Sequence, residues 1–260
     1  MNSLTRNIHN SNMYGLTIRI AFVLFVSAQL VLFSCASVLC KGNDCNVEEP
    51  RSDSVKSELH YDPELSYKTL LLAAVTVDNV HPQRCLDKSL PSSKFQLQTF
   101  VRKKCDFFSD NCAGYIAVSH PLKAIVIAFR GTTTLTQIIA EGLTMMNLED
   151  FLDGKVNSYF KTGFESLWPG MEKKVKSLVS DNPQYQVWVT GHSLGAALAS
   201  VTSTWLAHDN IVPRENIILY TFGSPRVGDY KYAQHHDKLI KNSWRVVNYD
   251  DIVPHIPPLN

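Results

Sequence analysis

Residues 186–200 read QVWVTGHSLGAALAS, and this stretch decides the fold of the chain. Its first five residues are a β-prone run, and its last seven open a helix of small residues. Between the two lies the pentapeptide Gly191-His192-Ser193-Leu194-Gly195, of the form G-x-S-x-G. Only glycine two residues before and two residues after the serine leaves room for so sharp a turn. The stretch therefore predicts that Ser193 lies in a tight strand-to-helix turn, called here the elbow (residues 191–195).

The chemical prediction for the elbow depends on this context. A G-x-S-x-G pentapeptide occurs by chance in roughly one chain in ten of this length, because glycine and serine are common residues. A serine at a helix start, however, has backbone N–H groups and the positive end of the helix dipole beside its hydroxyl. We therefore predict that Ser193 is a nucleophile and that the Leu194 N–H stabilises an oxyanion. The alternative is a buried turn with an unreactive serine.

The regions around the elbow alternate between strands and helices. β-prone runs occupy residues 95–101, 114–118, 124–129, 186–190, 217–222 and 244–248. Helical spacing covers residues 63–77, 163–179, 194–208 and 230–240, and Pro169-Gly170 is expected to break or kink the second of these helices. This order predicts an α/β protein with a mostly parallel central sheet and helices on both faces.

The composition of the chain argues against a nucleic-acid partner and for a single domain. The chain has 260 residues, 25 Lys+Arg, 24 Asp+Glu and a formal net charge of +1, and 45% of its residues are hydrophobic. No basic footprint for nucleic acid is present, so we expect no nucleic-acid partner. The apolar content suits one domain with its own core.

The N-terminus has the pattern of a secretory signal. A mainly apolar run of fourteen residues, 20–33, follows Arg6 and Arg19 and precedes the small residues Ser34, Ala36 and Ser37. This run is shorter than the roughly 20 residues that a membrane-spanning helix needs. We predict a cleaved signal peptide at 1–37, a polar leader at 38–58 and a domain at 59–260, hence a secreted protein. An uncleaved membrane anchor is the alternative.

Six cysteines fit a secreted protein that forms disulfides. Cleavage at Ser37 would leave five, an odd number, so either cleavage follows Cys40 or one cysteine pairs with a partner beyond residue 260. The spacing Cys40-x4-Cys45 is not a zinc pattern and no histidine pair stands nearby, so we expect no metal site.

Four segments together resemble, in the same order, the fungal-type (class 3) lipases of the α/β-hydrolase superfamily. They are FRGT (129–132), TGHSLGAALAS (190–200), TFGSPRVGD (221–229) and DIVPHIPP (251–258). The N-terminal cysteine-bearing part resembles secreted animal, nematode-like members. The resemblance covers roughly residues 60–260. It implies an α/β-hydrolase fold and a carboxylic ester hydrolase acting on acylglycerols at a lipid–water interface, with no cofactor. The oligomeric state stays open.

The resemblance also implies roles for individual residues. Thr132, after Phe129-Arg130-Gly131, matches the second oxyanion-hole residue, and Asp251 matches the acid of a Ser-His-Asp triad. Spacing alone does not separate Asp251 from Asp250. Residues 133–148 match the position of an amphipathic lid, although a plain core helix is an equal alternative. The candidate lid residues are Leu135, Ile138, Ile139 and Leu143.

No histidine makes a good base for the triad. In the family the base follows the acid along the chain, and the only histidine after Asp251 is His255, held between prolines. His192 lies inside the elbow, directed away from the reacting face, and His235 and His236 are expected to be solvated on a surface helix. We therefore expect the base, the last strand and the closing helix to lie beyond residue 260. The chain is then either an incomplete active lipase or an inert lipid-binding relative.

Overall fold

The computed structural model describes residues 7–8, 60–77, 81–105, 111–131 and 147–257. The strands are β1 (Asn7–Ile8), β2 (Gln96–Lys104), β3 (Asn111–Ser119), β4 (Ala124–Phe129), β5 (Leu148–Phe151), β6 (Gly154–Asn157), β7 (Gln186–His192), β8 (Ile217–Phe222) and β9 (Asn242–Val246). The α-helices are α1 (Leu71–Thr76), α2 (Pro82–Ser89), α3 (Ser158–Asp181), α4 (Leu194–His208) and α5 (Tyr230–Leu239). A π-helical segment, Glu64–Leu70, runs directly into α1, and short 3-10 turns occupy Arg214–Asn216 and Val253–His255.

The main sheet has the strand order β1-β9-β8-β7-β4-β3-β2. Strands β4, β7, β8, β9 and β1 are parallel neighbours, whereas β2 and β3 pair antiparallel at one edge. The predicted mostly parallel α/β sheet is therefore confirmed. Strands β5 and β6 form a separate antiparallel hairpin that the sequence patterns did not indicate.

Strand β4 shows why both faces of the sheet are covered. All six of its residues are buried, as expected of a central parallel strand. Ile125, Ile127 and Phe129 join one hydrophobic cluster together with side chains of α3 and α4. Ala124, Val126 and Ala128 point to the other face and join a second cluster with α1 and α2. The alternation of side chains along a strand thus gives the protein two cores on one sheet.

Helix α3 differs from the prediction at Pro169-Gly170. It runs without a break over 24 residues, although Pro169 lies inside it. Of the predicted break or kink at Pro169-Gly170, the break is wrong because packing holds the helix together, and the kink stays a prediction. Leu167, Trp168 and Met171 are buried around the proline, and Gly170 faces Val101 of β2 closely. The Asn157 side chain accepts a hydrogen bond from the Tyr159 N–H and caps the start of the helix, five residues earlier than predicted.

Two further features of the structure concern the cysteines and the N-terminus. Cys105 and Cys112 form a disulfide that links the ends of β2 and β3, and Cys85 is also disulfide-bonded. Of the predicted signal peptide and leader, only Asn7 and Ile8 are described, and they pair with β9. Both predictions otherwise lie outside the described residues. Within the described part of the chain, no helix is long and apolar enough to cross a membrane.

Candidate active site

Ser193 lies between the end of β7 and the start of α4, as predicted. Its backbone has φ 55° and ψ −120°, a conformation that non-glycine residues rarely adopt. The residue is 1% exposed, and its N–H donates to the Phe222 carbonyl at the end of β8. Ser193 O accepts hydrogen bonds from the N–H groups of Ala196 and Ala197 at 3.0 and 3.3 Å, which starts helix α4. The chain is therefore strained at the one serine that the pentapeptide singles out.

The two elbow glycines are required by close backbone contacts. A Cβ on Gly191 would lie 2.2 Å from the carbonyl carbon and oxygen of Gly195. A Cβ on Gly195 would lie 2.2 Å from the Phe129 carbonyl oxygen at the end of β4. These obstacles are backbone atoms, which cannot rotate away as a side chain can. Glycine at both positions therefore lets β7 turn into α4 directly beside β4.

The hydroxyl oxygen of Ser193 is enclosed. Ser193 Oγ is buried and has no hydrogen-bond partner among the described residues. Leu194 is the first residue of α4, and the first N–H groups of a helix have no partner within the helix. Gly131 lies against the carbonyl of His192, so the end of β4 borders the elbow. Thr132, the second predicted oxyanion residue, follows directly but lies outside the described residues.

The two candidate acids occupy different environments. Asp250 is exposed, whereas Asp251 is partly buried. Asp251 Oδ1 accepts a hydrogen bond from the Val253 N–H at 2.9 Å. Its Oδ2 faces Gly223, where φ is +56° and an added Cβ would lie 2.6 Å from that oxygen. Since Gly223 follows the Phe222 carbonyl that holds Ser193, the structure brings Asp251 and Ser193 to the same end of the sheet.

His192 lies between these two parts of the site. Its Nδ1 is beside Gly131, and its Nε2 is beside Gly223, near Asp251 Oδ2. Burial lowers the pKa of His192, and the negative charge of Asp251 partly opposes this shift. Ser193 Oγ accepts no hydrogen bond from it. Our expectation that His192 is not the base stays a prediction.

His235 and His236 are both less exposed than predicted. His236 is buried, so its predicted solvation is wrong; it packs beside Tyr232 on the inner face of α5. His235 is only partly exposed, and its Nδ1 lies 2.8 Å from Asp153 Oδ2. Its Nε2 lies 3.3 Å from His208 Nδ1 at the end of α4. Asp153 lies in the turn of the β5–β6 hairpin, whose strand β6 packs on α5, and the sequence patterns did not reveal this hairpin.

The lid candidates Leu135, Ile138, Ile139 and Leu143 lie outside the described residues. Leu148, at the end of the proposed lid segment, is instead the first residue of β5 and is exposed. Among the described residues, no group of three or more His, Cys, Asp or Glu side chains could hold a metal ion.

Sequence reasoning missed two arginines. Arg226 and Arg245 both hydrogen-bond to main-chain carbonyls of the segment that follows Asp251. Arg226 belongs to the TFGSPRVGD segment, and Arg245 lies within the otherwise apolar run WRVV, where a charged side chain needs a partner. A charged residue inside an apolar run was therefore the sequence signal that could have identified Arg245.

A serine with positive φ between a parallel strand and a helix, with an aspartate after a later strand, defines an α/β hydrolase. The model of the class 3 lipase family matches residues 126–260, and the chain belongs to that family.

Individual relatives agree with the family assignment. A lipase of Caenorhabditis elegans is 38% identical over 192 residues, which cover 73% of this chain and 53% of the relative. Secreted mono- and diacylglycerol lipase A of Penicillium camembertii is 34% identical over 161 residues, 59% of this chain and 50% of its own length. The chain thus spans about half the length of these curated relatives.

A solved triacylglycerol lipase, whose catalytic centre is described as a serine protease triad, is 28% identical with a TM-score of 0.64. The match covers 75% of this chain and 74% of that one. The predicted resemblance and the α/β-hydrolase lipase fold are therefore confirmed.

Proposed function

We propose that the site is that of a carboxylic ester hydrolase acting on acylglycerols, with Ser193 as nucleophile and Asp251 as the acid of a Ser-His-Asp mechanism. The observation that carries the proposal is the strained backbone of Ser193 at the start of α4, with its Oγ buried. Backbone strain at a single buried serine persists only where the surrounding structure enforces it, and such positions cluster at active sites. The relatives named as lipases support the same chemistry.

In this mechanism Ser193 Oγ attacks the ester carbonyl carbon while a histidine base removes the hydroxyl proton. The carbonyl oxygen becomes an oxyanion, which the N–H groups of Leu194 and Thr132 stabilise. The tetrahedral intermediate then expels the alcohol, which takes the proton from the histidine, and water hydrolyses the acyl-enzyme by the same route. Asp251 orients the histidine and stabilises its cation. The base itself is not among the described contacts, because Ser193 Oγ has no partner there.

Location and substrate access follow from the same proposal. We assign a signal peptide to residues 1–37, a polar leader to 38–58 and the hydrolase domain to 59–260. The protein then acts outside the cell, as the secreted Penicillium relative is named to do. The same proposal assigns Leu135, Ile138, Ile139 and Leu143, which lie outside the described residues, as lid residues that act at the lipid–water interface.

A second candidate function is non-catalytic lipid binding on the same fold. The observation that favours it is the unpartnered Ser193 Oγ, since eight of the nine histidines are described and none is bonded to that oxygen. Loss of a triad member reduces the rate by on the order of 10⁴–10⁶. Such a protein would bind an emulsion surface without hydrolysing it.

One experiment separates the two candidates. The purified chain is incubated with emulsified triacylglycerol and with a soluble short-chain ester, with and without added imidazole as an external base. Ser193→Ala is the matched control, because it removes only Oγ, which has no hydrogen-bond partner among the described residues. Hydrolysis that disappears in Ser193→Ala supports the hydrolase, whether or not imidazole is needed. Equal rates for both proteins under every condition, together with binding to the emulsion, support the lipid-binding function instead.

A further inference from the structure

The segment from Asp251 to Pro257 lacks the regular hydrogen bonds of a helix or strand. Its only repetitive structure is the short 3-10 turn Val253–His255. Within the segment, the Asp251 carboxylate accepts one hydrogen bond, from the Val253 N–H, so the position of the segment as a whole depends on contacts with the rest of the chain. The described contacts show that two arginines from other parts of the chain supply the missing hydrogen bonds.

Arg245 links two loops at the end of the sheet. It lies in β9, and its Nη2 donates to the Ser224 carbonyl at 2.6 Å and to the Pro254 carbonyl at 2.8 Å. Ser224 lies in the loop after β8, and Pro254 lies in the segment after β9. One guanidinium therefore fixes the Asp251 segment to the loop that carries Gly223.

Arg226 binds the far end of the same segment. Its Nη1 donates to the His255 carbonyl and, at 2.6 Å, to the Pro257 carbonyl. Its own backbone N–H donates to the Ile256 carbonyl at 2.8 Å. One residue therefore binds three consecutive carbonyls, beginning with that of His255, the last residue of the 3-10 turn.

The partial burial of two arginine side chains near each other is electrostatically unfavourable. Burial lowers the pKa of Arg245 first, and the positive charge of Arg226 lowers it further, while Asp251 opposes both. Two partly buried cations of like charge weaken the folded state unless their donors are well bonded. A guanidinium has five N–H donors in a planar fork and can bind two carbonyls at once, which an ammonium group does with poorer geometry.

We propose that Arg226 and Arg245 are positioning residues that hold the 251–257 segment so that the Asp251 carboxylate stays against Gly223 and beside His192. The inference rests on the proposed function only in treating Asp251 as the acid. The two arginines do not touch the substrate; they act through the aspartate.

The test uses His192 as a reporter and requires no hydrolysis. Its imidazole pKa is measured by NMR titration in the wild-type chain, in Asp251→Asn and in Arg245→Lys and Arg226→Lys. Asp251→Asn removes the negative charge and lowers the His192 pKa. The size of this decrease is the reference with which the Arg→Lys variants are compared. Each Arg→Lys variant keeps its positive charge but loses the fork, so we expect its His192 pKa to fall at least about half as far.

Arg245→Met separates position from charge. Loss of a positive charge by itself does not lower the His192 pKa, whereas displacement of Asp251 does. Arg102→Lys, on the exposed part of β2, is the matched control and should leave the titration unchanged. An unchanged His192 pKa in both Arg→Lys variants, or a rise in Arg245→Met, overturns the proposal. Near-ultraviolet circular dichroism establishes that each variant is folded. An absence of ester hydrolysis would refute the proposed function alone.

Discussion

The two halves of the site are held in place by different forces. The elbow is fixed by contact between backbone atoms, since Gly191, Gly195 and the end of β4 leave no space for a side chain. The acid segment is fixed by hydrogen bonds from two arginines to main-chain carbonyls, and its neighbours Tyr249 and Ile252 are 88% and 54% exposed. Ser193, the proposed nucleophile, is thus part of the core, whereas Asp251, the proposed acid, is only partly buried.

This difference has a consequence for how the site tolerates change. The backbone atoms around the elbow are closely packed and cannot rearrange, so an added side-chain atom there must displace a strand. Hydrogen-bonded loops can exchange one partner for water at a smaller cost. Substitutions at the elbow should therefore change the stability of the whole domain, and substitutions around Asp251 should mainly change local geometry.

The largest expected effect is on stability at the elbow glycines. Gly195→Ala places a Cβ 2.2 Å from the Phe129 carbonyl oxygen, and Gly191→Ala meets Gly195 at the same distance. Because backbone would have to shift, each variant should lose about 3 kcal/mol or more of unfolding free energy. Urea denaturation followed by tryptophan fluorescence measures this loss.

Gly170→Ala in α3 is the matched control, since its Cβ meets only the Val101 side chain, at 3.0 Å. The gain in helix propensity, about 1 kcal/mol, offsets the tight contact there. Equal losses in Gly170→Ala and Gly195→Ala would show that the elbow is no more tightly packed than an ordinary helix.

The next effect concerns the strain at Ser193. Ser193→Gly relieves the positive φ, whereas Ser193→Ala keeps it, and both remove the buried hydroxyl. We expect the glycine variant to be more stable than the alanine variant by about 1 kcal/mol, after the entropy cost of glycine in the unfolded chain. Differential scanning calorimetry of the two variants provides the comparison. An alanine variant as stable as the glycine variant would mean that the elbow stores no backbone strain.

The same contrast explains what the sequence could predict. The elbow depends on local features, a β-prone run, two glycines and small helical residues, so its strand, turn and helix were predicted from residues 186–208, with α4 matching residue for residue. Strands β4 and β8 also match, because buried apolar runs bounded by polar residues are clear local signals.

The surroundings of the acid depend on contacts between distant residues. The hydrogen bonds of Arg245 and Arg226 to carbonyls beyond Asp251 connect segments that no periodicity links. The continuous α3 across Pro169 and the burial of His236 were missed for a similar reason, since tertiary packing outweighed the local pattern. The choice of Asp251 over Asp250 came from the family resemblance and not from spacing.

The smallest effect lies where the two halves meet, at His192, between Gly131 of the elbow side and Gly223 of the acid side. Its pKa is lowered from 6.5 in the folded state, mainly by burial. The unfolded chain therefore takes up the proton first. The contribution of His192 to stability is complete above about pH 6.5 and declines as the pH falls below that value, with a slope of at most about 1.4 kcal/mol per pH unit for one proton.

His192→Gln removes this part of the slope and leaves the part due to His235, whose pKa is also lowered. Unfolding free energies at a series of pH values between 5 and 8 test this, and parallel curves for the two proteins would show that His192 is not held in its neutral form by the packing around the elbow.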